Sequence, residues 1–293
     1  MNAEDETLRI LNGIIDREIE RHPHNRALIE AFRPVLIARK RLLGRVKAGE
    51  GETFAWDETR FRGGVPLGAQ RPLFREDDPW EEISLAMIAA LAEGFPDLAA
   101  DLGRLKDALR EKKLDVYDYF RVGREEGKAL VAAWCASHAL SAGALGLLLS
   151  QISRVVLEKR AAGLAEWLAK AAWEKGYCPC CGAFPSLSVI KEKLGERLLH
   201  CSGCGHDWRF SRVTCPACGL EGQKGMNFFY IEGQVQESAF TCDQCRRYLI
   251  TLSRMSDLND RDLDVSALGL VHLDCILQEK QFAPMTVTDW NVF

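Results

Sequence analysis

With 293 residues, 47% hydrophobic and 27% charged, the chain has the composition of a globular protein long enough for more than one domain. Its formal net charge of −4 argues against a nucleic-acid partner. The acidic start Met1-Asn-Ala-Glu-Asp-Glu lacks the positive and apolar regions of an export signal, so a cytoplasmic location is expected.

In chain order, helical spacing of apolar residues governs Glu4 to Lys175 and predicts an all-α domain over residues 1–175. Leu8, Leu11, Ile14, Ile15 and Ile19 form the first stripe; a second helical region runs from Asn25 to Val46, where Pro34 is expected to kink or split it. Lys47 to Pro79 reads as a long structureless loop, broken by Gly49, Gly51, Gly63, Gly64, Pro66, Gly68 and Pro72. Its Arg60, Arg62, Arg71 and Arg75 are either solvated or available to an acidic partner. Helices are predicted at Trp80 to Glu93, from Pro96 to Glu111, and through the Ala-rich Glu125 to Trp173 with an interruption near Gly143 and Gly146. The apolar run Ala129 to Ser150 contains His138 and several Ser and Gly residues, so it reads as a buried core helix and no membrane insertion is expected.

After Gly176 the pattern changes to short alternating runs at Leu187 to Glu192, Arg197 to Cys201, Trp208 to Val213, Asn227 to Glu232 and Tyr248 to Ser253. Helical character returns from Val265 to Lys280, and Pro284 to Phe293 reads as an irregular tail. The expected architecture is multidomain α+β: the helical domain, two tandem rubredoxin-like or zinc-ribbon β modules at 176–213 and 214–256, and a C-terminal helix and tail at 257–293.

Those modules are carried by Cys178/Cys181, Cys201/Cys204, Cys215/Cys218 and Cys242/Cys245, four C-x-x-C pairs that supply eight thiolates. Eight thiolates suit two tetrahedral ions, either zinc or a single rubredoxin-type iron at each site, and ligand softness does not separate the two metals. A reducing cytosol keeps such thiols free for metal. Sequential pairing puts Cys178, Cys181, Cys201 and Cys204 on one ion and Cys215, Cys218, Cys242 and Cys245 on the other; spacing alone also permits a crossed pairing. Glycine follows three of the knuckles, at Gly182, Gly205 and Gly219, while the fourth has Arg246. Cys180 is read as an unligated neighbour, with ligand substitution or a reactive thiol as alternatives. His200 and His206 flank a shell that four cysteines already complete. Cys135 and Cys275 are expected in the core, and His138 and His272 as packed or capped histidines. A closed four-cysteine shell leaves no position for substrate, and no constellation supports an active site of the chain's own.

Charge bears on the partner as well. Cys178 to Arg254 holds nine Lys/Arg and seven Asp/Glu. Eight thiolates on two divalent ions bring the metallated segment to about −2, which favours a protein partner over nucleic acid.

The run Arg197-Leu-Leu-His-Cys201-Ser-Gly-Cys204-Gly-His-Asp-Trp208-Arg-Phe-Ser-Arg212-Val-Thr-Cys215-Pro-Ala-Cys218, followed by Cys242-Asp-Gln-Cys245-Arg-Arg-Tyr248-Leu249, resembles the formate dehydrogenase accessory (FdhE) family. Cys178-Pro-x-Cys181-Gly182 and the later His272-Leu273-Asp274 extend the likeness, with Cys180 and Arg246 as departures. It is specific across the C-terminal half and general across the first. The resemblance implies a cytoplasmic assembly factor, not itself an enzyme. It further implies that the factor engages the catalytic subunit of formate dehydrogenase and that the eight cysteines bind metal. The alternative is a rubredoxin-like iron electron carrier or reductase partner.

Overall fold

A computed structural model describes residues 3–47, 56–192, 195–222, 224–256 and 258–291; Met1, Asn2, Gly49, Gly51 and Phe293, named above, lie outside them. The helices before the sheet are α1 (Ala3–Arg21), α2 (Arg26–Leu42), α3 (Glu58–Arg62), α4 (Leu67–Gln70), α5 (Trp80–Gly94), α6 (Ala99–Arg110), α7 (Val116–Arg121), α8 (Arg124–His138) and α9 (Ala142–Lys170). The strands β1 (Pro185–Lys191), β2 (Arg197–Cys201), β3 (Asp207–Phe210), β4 (Met226–Tyr230), β5 (Glu237–Cys242) and β6 (Arg247–Met255) follow. Then come α10 (Leu263–Gly269), α11 (Val271–Glu279) and the short β7 (Ala283–Pro284). No helix among the described residues is long and apolar enough to cross a membrane.

Two compact units form, each from separated stretches of chain. One comprises Met1–Asn12, Glu30–Glu52 and Pro72–Arg160, and the other Gly13–Ile29, Thr53–Arg71 and Ala161–Phe293.

The first unit is helical in its described residues. Ile83, Met87 and Leu91 of α5, Leu102 and Leu105 of α6, and Leu145, Leu148 and Ile152 of α9 are buried at helical spacing. Gly94 ends α5 where a Cβ would collide with the Ala31 carbonyl, so only glycine lets the two chain segments meet there. Arg160 is buried and donates to Leu73 O at 3.1 Å, to Lys47 O and to the Asp78 carboxylate. One guanidinium thereby satisfies two carbonyls and a buried acid at once.

Several expectations for the helical region need correction. Pro34 lies inside α2 without splitting it: buried Phe32, Val35 and Leu36 anchor the helix on both sides and offset the lost N–H bond and the crowding of the proline ring against the preceding turn. The break in the Ala-rich region falls at Ala139, in the left-handed conformation (φ 51°), rather than at Gly143 or Gly146. Only Gly127 and Trp134 of α8 are buried, so the core-helix reading of Ala129 to Ser150 applies to its second half. The expected loop contains α3 and α4, and α7 forms where the sequence predicts no element. Cys135 and Cys275 are half-buried rather than core.

The second unit carries the sheet, in the order β3-β2-β1-β6-β5-β4, with β7 also paired to β6. Neighbours are antiparallel except at β1–β6 and β6–β7. The β1–β6 seam sets Leu187 opposite Ile250 and Ser188 opposite Thr251. There the two buried hydroxyls of Ser188 and Thr251 meet at 2.7 Å. The two cysteine-bearing segments therefore share one sheet instead of forming separate β modules. One sheet face buries Leu187, Val189, Ala239, Ile250 and Leu252 together with Leu270, Leu273 and Leu277 from the C-terminal helices. The predicted helix Val265 to Lys280 is divided at Leu270, and the tail supplies β7.

Candidate metal centres

Each cluster is built from one loop knuckle and one hairpin tip. Cys178 and Cys181 precede β1, and Cys201 and Cys204 cap the β2–β3 hairpin; Cys215 and Cys218 precede β4, and Cys242 and Cys245 cap β5–β6. The structure gathers Cys178, Cys181, Cys201 and Cys204 in one group and Cys215, Cys218, Cys242 and Cys245 in another, each able to hold a metal ion. That is the sequential grouping and not the crossed one.

Every knuckle uses the same backbone device. The N–H four residues after the first cysteine donates back to its carbonyl: Gly182 to Cys178, Gly205 to Cys201, Gly219 to Cys215 and Arg246 to Cys242, at 3.0, 3.1, 2.9 and 2.9 Å. The donor takes φ of 82°, 67°, 73° and 55° respectively. Glycine accepts that region without steric cost, and Arg246 accepts it with one. Around Arg246, the guanidinium lies 3.8 Å from the Phe282 ring centre and donates to Lys280 O at 3.1 Å. These contacts supply the compensation.

Spacing between the sulfurs fits a tetrahedral ion. Sγ atoms of Cys178 and Cys204 are 3.5 Å apart, those of Cys181 and Cys201 3.4 Å, those of Cys215 and Cys245 3.8 Å, and those of Cys218 and Cys242 3.7 Å. An ion holding four sulfurs at about 2.3 Å separates them by about 3.8 Å. Close packing protects the first cluster: a Cβ on Gly203 would sit 3.2 Å from the Cys181 sulfur. Backbone N–H groups of Gly203 and Cys204 point at the Cys201 sulfur from 3.3 and 3.4 Å, the arrangement that stabilises a thiolate.

Burial pushes the Cys178 thiol well above its usual range, and likewise Cys215, with Cys245 pushed up to about 11. Burial also works against Cys201 and Cys242, but donors to their sulfurs outweigh it and hold both low. Protons would leave the remaining thiols as a cation's charge took their place. Cys180 is buried outside both groups, and its carbonyl accepts from Gly68 N at 2.8 Å, so that backbone contact holds the loop knuckle.

Neither flanking histidine enters a cluster. His200 is buried and bridges two carboxylates, Nδ1 to Asp207 at 2.7 Å and Nε2 to Asp264 at 3.2 Å. Burial alone would lower its pKa, but the two acids raise it to about 10, so the ring is an imidazolium at neutral pH. His206 is lowered by burial. Arg197 is another buried cation beside the clusters: its Nη1 reaches Ser211 O and Thr214 O at 3.5 and 3.4 Å, and its Cζ lies 4.6 Å from the Phe240 ring centre. Burial lowers it to about 10, which still leaves it charged. His272, expected to be packed or capped, is half-buried near the start of α11 and packs its ring against His22 and His24. His22 and His24 are near neighbours in sequence, but His272 lies far along the chain and carries no local signal of joining them. Arg62 of the basic loop pairs with Glu58 at 2.5 Å.

A family model described as FdhE, central domain, matches residues 177–212, the stretch that holds the first cluster. Among similar proteins, the Protein FdhE homolog of Aquifex aeolicus (strain VF5) is 34% identical over 122 residues, 38% of this chain and 40% of that relative. The Protein FdhE homolog of Shewanella baltica (strain OS185) is 34% identical over 119 residues, covering 39% and 38%. A longer match joins the chain to the Protein FdhE homolog of Yersinia pestis (strain Pestoides F), 26% identical over 226 residues, 73% of this chain and 66% of that one. The chain thus spans about two fifths of the first two relatives in the matched region. In fold, it is similar to the crystal structure of the FdhE protein from Pseudomonas aeruginosa, with a TM-score of 0.64 over 99% of this chain and 97% of that one, at 21% identity.

Proposed function

Because this chain belongs to the FdhE family, we propose that it is a cytoplasmic accessory protein needed to form active formate dehydrogenase, binding the catalytic subunit of that enzyme rather than catalysing a reaction itself. The observation that carries this reading is the pair of four-cysteine clusters within one sheet. Cys178, Cys181, Cys201 and Cys204 would hold one iron or zinc ion, and Cys215, Cys218, Cys242 and Cys245 the other. Four thiolates close the shell, so each ion would brace its knuckles and, as iron, could pass single electrons without binding substrate. Segments 176–213 and 214–256 would be the metal-bearing parts, 1–175 the helical part and 257–293 the C-terminal helices and tail.

Anaerobic affinity capture of the tagged chain from its host, with mass spectrometry of what co-purifies, tests the partner. A formate dehydrogenase catalytic subunit is the expected catch, together with loss of formate dehydrogenase activity in a strain lacking this chain. Full activity in that strain overturns the accessory role.

Exposure of Cys218 favours a second reading, an iron electron carrier exchanging electrons at the second cluster. Metal analysis and a visible spectrum on anaerobically purified protein separate the readings, because zinc is redox-silent. A reversible iron signal with no captured client would select the carrier.

A further inference from the structure

We propose that His22, His24 and His272 form a third metal site, one that takes a divalent ion of the zinc class through imidazole nitrogens and uses none of the eight paired cysteines. Candidate ligand nitrogens of the three residues all lie within 4.8 Å of one another. Ring centres are 4.7 Å apart for His24 and His272, 5.7 Å for His22 and His272, and 5.9 Å for His22 and His24. An ion with nitrogens at about 2.0–2.1 Å separates them by about 3.4 Å, so closure needs side-chain shifts on the order of 1 Å.

The backbone explains how the three meet. Helix α1 ends at Arg21, and Pro23 keeps the preceding His22 out of the helical region, at φ −127° and ψ 64°. The tight turn Pro23–Asn25 then brings His24 around beside His22. His272 arrives from the first turn of α11, and Asn25 Nδ2 ties the turn to the end of α10 by donating to Gly269 O at 2.7 Å. Gly269 itself leaves room for the site, since a Cβ there would collide with Glu18 Oε1 and lie 2.8 Å from His22 Cδ2.

Two further observations point to a cation. Nε2 of His22 stands 3.2 Å from Glu237 Oε1 and 3.4 Å from Glu18 Oε1. Yet His22 Nε2 and Glu18 Oε1 are buried with no well-directed hydrogen bond, a costly condition that an ion drawing the carboxylates and imidazole into line would relieve. Carboxylates behind a histidine are also the usual means of orienting a metal ligand. Burial and the neighbouring His24 and His22 lower the His272 pKa. The 3.4 Å approach of Asn25 Nδ2 to His272 Nδ1 is the contact that an ion on that nitrogen would displace.

Zinc is the probe, and the full chain must carry no polyhistidine tag. After loading with zinc and desalting, elemental analysis should find three ions per wild-type chain, one for each residue group, and two for His24→Ala. His24 is exposed, so that substitution spares the core. His272→Gln, checked for folding by circular dichroism, should lose the same ion. Glu237→Gln should weaken binding of the third ion by about 10–100-fold in competition with a chromophoric chelator. With cobalt(II), the His24-dependent equivalent should lack thiolate charge-transfer bands. A wild-type chain that holds no more zinc than its thiolate clusters account for, or a His24→Ala chain with unchanged stoichiometry, overturns the proposal. Either result leaves the accessory reading untouched, because that rests on the thiolate clusters.

Discussion

In the first cluster Cys178, Cys201 and Cys204 are buried and Cys181 is half-buried, whereas in the second Cys218 is exposed and Cys245 half-buried. The knuckle backbones are the same, so the difference comes from what packs on them. Residues around α4 lie over the first loop knuckle: Leu67 N donates to Pro179 O at 2.9 Å, and a Cβ on Gly182 would meet Pro66 at 3.1 Å. A Cβ on the equivalent Gly219 would meet nothing within 4 Å. One motif thus yields a shielded site and an accessible one. In a low-dielectric surround a thiolate depends more strongly on its cation.

Sulfur removal should separate the sites most sharply. Cys201→Ser and Cys218→Ser should each lose one ion by elemental analysis. Only the first should also lose several kcal/mol of stability, since a buried shell of structural zinc contributes on the order of 10 kcal/mol to folding. Equal drops in the melting temperature would break the comparison.

The next largest effect concerns His200, which borders Cys201 in the first site. His200→Ala leaves Asp264 buried without its cation and should cost about 3–5 kcal/mol by denaturant unfolding. The folded pKa, about 10, lies above the ordinary 6.5. The stabilisation is therefore fully present below pH 6.5 and fades as pH rises through about 10. A wild-type and His200→Ala difference that stays constant from about pH 6 to about pH 10 would contradict the ion-pair account.

Glycine substitution gives the smallest effects. Gly219→Ala should cost about 1–2 kcal/mol for the left-handed backbone alone, and Gly182→Ala more, because Pro66 must also give way. Arg246→Gly removes that backbone cost but also the contact with Phe282, so its stability by denaturant unfolding should change by less than about 1 kcal/mol. If Gly219→Ala proves as damaging as Gly182→Ala, the second knuckle is less open than its surroundings indicate.

Local pattern made the cysteine knuckles and most strands legible, because C-x-x-C-Gly and alternating apolar residues act over a few residues. β5 carries no such pattern: Glu237-Ser-Ala-Phe-Thr-Cys242 mixes small and polar residues, and its strand character comes from pairing with β4 and β6. The helix break at Ala139 is equally silent, since alanine favours helix and nothing in its own chemistry marks the left-handed turn that the Leu140 N–H closes onto Cys135 O.

By itself, the sequence determined the helical character of the first part, the eight knuckle cysteines and the glycine turn that follows three of the four pairs, since all of these are set by neighbours in the chain; the same turn at Arg246 carries no such signal. Tertiary structure alone decided that β1 lies parallel to β6, that one cluster is covered and the other open, and that His272 meets His22 and His24. Those outcomes depend on contacts between residues far apart in the chain, whose closure is paid for by the packing of the folded unit as a whole.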